Sequence, residues 1–380
     1  MMICADYNAT TPLGAGAQKE MEKVIANWGN PSSTHTLGRK ASELLASFRN
    51  AVASKVSRSP DDLVFTSGGA ESNTMALIGS FWAVKEKPFR LLTSGVEHSS
   101  VKGTVCFLET LGIQVQRVRV NAMGELDMED FTAKLKSFRP HLVSLMTANN
   151  ETGVLFPIPA LARLCAEAAL PLHTDSVQAF GKVDPTFWNG ADMVSISAHK
   201  IHGPKGCGAL FASKKWPLVS LHYGGSQETK RRGGTENAIG IAGFAGACNE
   251  LSELSCWDRI RKLRDGFEAR LRKELGDVYF QGEKAPRLPN TSSVRIAGVS
   301  ADALLTALDL DGVAVSAGSA CASGSITPSH VLTEMGLSTA EARECMRISW
   351  GRPTTDADVD TVAGLVISHT QRIRARRRTM

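Results

Sequence analysis

The chain has 380 residues, long enough for more than one hydrophobic core. With 43% hydrophobic and 21% charged residues it lies in the ordinary globular range, which excludes the disordered and fibrous classes. The net charge of +5 resides in Arg372, Arg374, Arg376, Arg377 and Arg378; without them the bases balance the 38 acids, so nothing general favours nucleic acid.

The chain opens on the polar stretch Asp6-Tyr7-Asn8-Ala9-Thr10-Thr11-Pro12, after which a helix is expected from about Ala15 to Trp28. Gly29-Asn30-Pro31-Ser32-Ser33 reads as a loop, and Leu44, Leu45, Phe48, Val52 and Val56 recur at the spacing of a helix with one buried face. Strands are expected at Leu63 to Thr66, Leu91 to Thr93, Val115 to Val120, Leu142 to Met146, Leu172 to Thr174 and Val194 to Ile196. With helical or turn segments between them, these imply an α/β fold with a mostly parallel sheet flanked by helices. Past Cys256 the pattern changes. A charged helix from Trp257 to Leu275 leads into short strands at Val278 to Phe280, Ser293 to Ile296, Val313 to Val315 and Met346 to Ile348, a smaller α+β domain. The division expected is a large domain over 13–256, a small one from 1–12 plus 257–371, and a frayed basic tail over 372–380.

The eight cysteines are scattered without C-x-x-C pairs, which argues against zinc and a disulfide framework. No basic-then-apolar leader and no apolar run near 18 residues is present, so neither export nor a membrane is expected, and the compartment is read as reducing and cytoplasmic.

Polar groups follow the expected strands one after another. Ser67-Gly68-Gly69-Ala70-Glu71-Ser72-Asn73 sits between a strand and a helical run from Thr74 to Val84, where exposed amides form an anion cradle. Glu97-His98-Ser99-Ser100, Asn149-Asn150-Glu151 and Asp175-Ser176-Val177-Gln178 follow three further strands, and Ser197-Ala198-His199-Lys200 a fourth. Singly, Gly69 reads as well as a plain turn, His98 as a packing histidine, Asn150 as a turn residue, Asp175 as a helix cap and Lys200 as a solvated lysine. Those readings do not explain why every strand should end this way, and ligands of open α/β sheets bind at that edge. A lysine held there can lose its proton and form Schiff bases with carbonyl compounds.

These segments, with Asn8-Ala9-Thr10-Thr11-Pro12, Gly29-Asn30-Pro31-Ser32-Ser33 and Ser319-Ala320-Cys321, resemble the NifS-like cysteine desulfurases, within the class V aminotransferase group of fold-type I pyridoxal-phosphate (PLP) enzymes. The resemblance covers essentially the whole chain. It implies that Lys200 carries PLP as a Schiff base, that Asp175 pairs with the pyridine nitrogen, that Gln178 reaches the ring hydroxyl, and that His98 stacks on the ring and moves protons. Gly69, Ala70, Ser197 and His199 would hold the phosphate, and Thr235 would serve the partner subunit's phosphate in a homodimer. Many relatives carry threonine where this chain has Ala70, so one hydroxyl is missing from the phosphate site.

Cys321 lies among small residues, Ser316-Ala317-Gly318-Ser319-Ala320-Cys321-Ala322-Ser323-Gly324-Ser325, which reads as a mobile loop, whereas the other seven cysteines are expected to be buried and inert. By the resemblance Cys321 takes the sulfur of L-cysteine as a persulfide and passes it to an acceptor protein for iron–sulfur cluster assembly or thiolation. Arg347, assisted by Asn150, is the candidate for the substrate carboxylate, since a guanidinium matches that group bidentately; the alternative is a surface ion pair. A class V aminotransferase or lyase, a selenocysteine lyase and a non-enzymatic sulfur carrier are the other readings.

Overall fold

The computed structural model describes residues 2–251, 255–317 and 328–378. In the first part of the chain come β1 (Ile3–Cys4), α1 (Ala15–Ile25), α2 (Thr36–Val56), β2 (Leu63–Thr66), α3 (Gly69–Ala83), β3 (Arg90–Ser94), α4 (Ser99–Thr110) and β4 (Gln114–Val118). Next are α5 (Met128–Phe138), β5 (Leu142–Ser144), α6 (Ile158–Glu167), β6 (Leu172–Asp175), β7 (Met193–Ser197), β8 (Gly208–Ala212) and α7 (Ala238–Asn249). The remainder holds α8 (Ser255–Leu275), β9 (Val278–Phe280), β10 (Thr291–Ile296), α9 (Ala301–Leu310), β11 (Val313–Ala314), α10 (His330–Glu334), α11 (Thr339–Ala342), β12 (Cys345–Ser349) and α12 (Asp356–Arg378).

The central sheet has seven strands in the order β2-β8-β7-β6-β5-β3-β4. Pairing is parallel from β7 through β4, and only β8 runs antiparallel to both its neighbours. The expected fold class holds. Strands β2, β5, β6, β7 and β8 are buried along their whole length, the polar Ser144, His173, Thr174, Ser195 and Ser197 included. One apolar cluster runs from Phe48 through Leu92, Val194 and Phe244, and a second, with Val64, Leu77, Leu91 and Leu210, covers the other set of strand side chains.

A third cluster is built on Trp257, Phe267, Val294, Leu304, Ile348, Trp350 and Val366, and it also takes in Ala5. It packs α8, α9 and α12 around the antiparallel sheet β12-β10-β9. The N-terminal residues join this layer: Ile3 pairs with Val313 and Cys4 with Ala314, and Asp6 bridges to Ser349.

Three local expectations change. The first helix stops at Ile25 rather than Trp28, because Asn27 Nδ2 donates to the Lys23 carbonyl at 2.7 Å and closes the last turn. Strand β8 is absent from the sequence reading; it follows the Gly203 to Gly206 turn cluster, whose glycines mark the end of one strand and hide the start of the next. The arginine segment is not a frayed end. Residues 372–378 continue α12, and Arg374 donates to the Leu275 and Ala297 carbonyls at 2.8 and 3.1 Å. Among the described residues no helix is long and apolar enough to cross a membrane.

Candidate active site

The carboxyl ends of β2, β3, β5, β6 and β7 open onto one cavity of about 830 Å3. Its lining includes Gly69, Ala70, His98, Asn150, Asp175, Gln178, Ser197, His199 and Lys200, with Arg347 reaching in from β12. Thr235 does not line it and is exposed. Cys321 lies outside the described residues.

The glycine segment after β2 differs from expectation in one respect. Gly69 already begins α3, so the helix starts five residues before Thr74. Its first amides therefore have no acceptor within the helix, and Gly69 and Ala70 line the cavity. A Cβ at Gly69 would stand 2.6 Å from Val177 Cγ2, so glycine lets α3 approach the turn that follows β6. Glu71 folds back to accept from the Ser67 amide at 2.8 Å and pairs with Arg232 at 3.1 Å, which fixes the mouth of the cradle. Ser197 Oγ, at the end of β7, is buried without a hydrogen-bond partner among the described residues.

Asp175 is the last residue of β6. Its Oδ2 accepts from Asn73 Nδ2 at 2.7 Å and its Oδ1 from the Val177 amide at 2.9 Å, so the carboxylate is oriented and only 6% exposed. Asn73 also donates to Ser100 Oγ at 2.9 Å, which ties Asp175 to the His98 turn. His98 caps α4, and its Nδ1 accepts from the Ser100 amide at 3.2 Å. Burial, with the charge of Lys200 adding and that of Asp175 opposing, lowers its pKa. The neutral ring with Nδ1 as acceptor carries its proton on Nε2. Behind it, burial pushes the Glu97 carboxyl up to about 8; Ser94 Oγ donates to it at 2.6 Å.

Lys200 sits in a tight turn, Ala198–Lys200, just past β7. Its Nζ donates to the carbonyls of Asn8 and Ala9 at 2.6 and 2.7 Å. Next to it His199 bonds Thr10 Oγ1 at 3.1 Å, and burial together with the charge of Lys200 brings its pKa down to about 4. Arg347 is buried. Nη1 donates to the Asn150 carbonyl at 2.9 Å and Nη2 to Asp6 Oδ1 at 2.7 Å, while Nε has no partner among the described residues.

Several residues around the cavity were not singled out from the sequence. Asn73 orients Asp175, Asp6 pairs with Arg347, and Asn8 meets Lys200, Gln178, Lys182 and Asn290 at once. Asn73 and Asn8 stand inside motifs that were noticed, but nothing in their spacing distinguishes them. Lys182, four residues after Gln178, had a signal in that i, i+4 spacing. The cysteine expectation is corrected in part: Cys165, Cys207, Cys248 and Cys345 are buried, but Cys4 and Cys106 are exposed and Cys256 is half-buried. Among the described residues no group of three or more His, Cys, Asp or Glu side chains is placed to hold a metal.

Residues 3–362 match the family described as Aminotransferase class-V. A protein of Dictyoglomus turgidum named cysteine desulfurase IscS is 39% identical over 363 residues, covering 94% of this chain and 92% of its own. A cysteine desulfurase of Sinorhizobium fredii is 38% identical over 383 residues, with 99% and 98% covered. Among solved structures a NifS-like protein superposes with a TM-score of 0.90 at 31% identity, covering 97% of this chain and 99% of its own.

Proposed function

The chain belongs to the class-V aminotransferase family and, within it, to the NifS-like cysteine desulfurases, and on that premise we propose that it converts L-cysteine to L-alanine and keeps the sulfur as a persulfide on Cys321. The observation that carries this is the meeting of an amine, a carboxylate, an imidazole and a guanidinium, Lys200, Asp175, His98 and Arg347, in one cavity from separate strand ends.

The residues fit PLP. Ser197 Oγ is buried with no hydrogen-bond partner among the described residues, and the Asp175 carboxylate is held at the cavity by two donors. Gly69, Ala70, Ser197 and His199 would hold the phosphate, Asp175 the pyridine nitrogen and Lys200 the aldehyde carbon. When bound, the cofactor supplies an electron sink that acidifies the substrate Cα–H.

Arg347, with Asn150, binds the carboxylate of L-cysteine. His98 has Nδ1 committed to Ser100, so Lys200 Nζ takes the Cα proton and His98 Nε2–H gives one up. The Cys321 thiolate attacks the substrate sulfur. An S–S bond forms, the Cβ–S bond breaks with its electron pair left on Cβ, that carbon takes the proton from His98 Nε2–H, and Lys200 returns its proton to Cα to give alanine. Cys321 then hands its outer sulfur to an acceptor protein for cluster assembly or thiolation.

The finer proposals are a homodimer, cytoplasmic location and a division at 13–256 against 1–12 plus 257–371. Exposed Thr235, Trp28 at 80% and Tyr223 at 84% support the dimer, and the separate apolar cluster around Trp257 and Trp350 supports the division. The test is Cys321→Ala: the yellow cofactor band and cysteine binding persist while sulfide release in reductant collapses. Retained turnover overturns the role of Cys321. Amino transfer to a keto acid, with no alanine formed from cysteine, returns the chain to a plain aminotransferase.

A further inference from the structure

Two buried groups decide which way the Gln178 amide faces. Lys182 is 3% exposed, and its Nζ donates to Gln178 Oε1 at 2.8 Å and to Asn8 Oδ1 at 3.0 Å. On its other side Gln178 Nε2 donates to the Asn8 carbonyl at 2.9 Å. Turned over, the amide would set its oxygen against a carbonyl and its NH2 against an amine, losing both bonds in a buried site.

The backbone builds this arrangement locally. Gly181 has a φ of 74°, and a Cβ there would lie 2.7 Å from Ile201 Cγ2, so glycine lets the chain turn and send Lys182 inward, four residues after Gln178. Burial first, then the like charges of Lys200 and Arg347, push the Lys182 pKa well below the usual lysine range. The amine has two donors for two acceptors in either protonation state, so the lock does not depend on its charge. One Nε2 hydrogen of Gln178 is taken by Asn8. The other is what the amide shows to the cavity it lines.

We infer that Lys182 is a positioning residue that holds the Gln178 amide with N–H, never its carbonyl, toward the cavity, so that this point takes only an oxygen with a free lone pair. Resting on the proposed function, that oxygen is the deprotonated ring oxygen of PLP. A donor there stabilises the deprotonated form of the ring system and lowers the pH at which the bound cofactor's yellow band titrates.

The experiment is a double-mutant cycle on the holoenzyme with Lys182→Met, Gln178→Ala and both together, reading that pH midpoint and the cofactor dissociation constant. The cavity's other charged groups are the same in all four proteins. Each single variant is expected to raise the midpoint by about one pH unit, a tenfold change in proton affinity, and the double variant no further than Gln178→Ala alone. Full addition of the two shifts means that Lys182 acts by its charge and overturns the inference, as does an unmoved midpoint in Lys182→Met. An unmoved midpoint in Gln178→Ala removes the reading beneath it, that Gln178 meets the ring oxygen. Methionine matches the length of the lysine stem, and Gln178→Ala supplies the comparison should the first variant fold poorly.

Discussion

Arg347 and Asp6 are joined at 2.7 Å across 341 positions of sequence, and the guanidinium they share with the Asn150 carbonyl is 1% exposed. The arginine is thereby held by two bonds within the protein, which lowers the cost of ordering it when a ligand binds. Asp6 belongs to the segment that also supplies Asn8 and Ala9 to Lys200, so the Arg347 guanidinium and the Lys200 amine are both held by that one stretch.

Arg347→Lys tests the clamp. A lysine keeps the charge but cannot hold Asp6 and a carboxylate with one planar fork. KM for L-cysteine should rise about tenfold or more, with a smaller change in kcat, if the lost contact is a bidentate carboxylate pair. A fall in kcat at unchanged KM would remove Arg347 from substrate binding.

Glu97 should make the fold sensitive to alkali. Its carboxyl, ordinarily at 4.5, is raised to about 8 by burial, so the folded state keeps a proton that the unfolded state has released. The stabilisation is complete below about 4.5 and is lost as pH rises through 8, on the order of 5 kcal/mol over that range. Glu97→Gln does not titrate. Urea unfolding of both proteins at pH 5.5 and 8.5 should show the wild type losing ground to the variant; parallel behaviour sinks the assignment.

His173 has the opposite sign. It lies between Ser144 Oγ and Ser195 Oγ, both at 2.9 Å, and burial lowers its pKa from 6.5 to about 3. The unfolded state therefore takes the proton first, and stability present above 6.5 is lost as pH falls, on the order of 2 kcal/mol by pH 5. Replacing it by asparagine should flatten this part of the acid limb, read from unfolding midpoints at pH 7 and pH 5.

Ala70→Thr adds a hydroxyl at the second position of α3, beside the phosphate cradle. One added hydrogen bond to an anion corresponds to about 1.5 kcal/mol, or roughly tenfold tighter PLP retention. Equilibrium dialysis of the two proteins measures it, and equal dissociation constants would place the phosphate elsewhere.

The sequence exposed what is local. Short strand-forming segments marked β2, β3, β5, β6 and β7, and polar residues placed after each one lined up on a common edge because parallel strands all end on the same side. What it could not expose are contacts without a period. Asn8 to Asn290, Asn8 to Ser349 and Arg347 to Asp6 span 282, 341 and 341 positions. Strand β8 was lost for a different reason: Gly203 to Gly206 punctuate one strand's end so strongly that the next strand's start is masked. The placement of α12 through Arg378 shows the limit of composition, since five arginines read as solvated tail until Arg374 is seen capping the Leu275 and Ala297 carbonyls.

Asn8 sets an order on manufacture. The carbonyls that receive Lys200 leave the ribosome among the first residues, but Asn8 is itself held by Asn290, Thr291 and Ser349, which leave it hundreds of residues later. A nascent chain that has already made β7 and Lys200 still has no floor beneath that amine. The two carbonyls that receive the Lys200 amine are therefore fixed in place only once the chain through β12 is present.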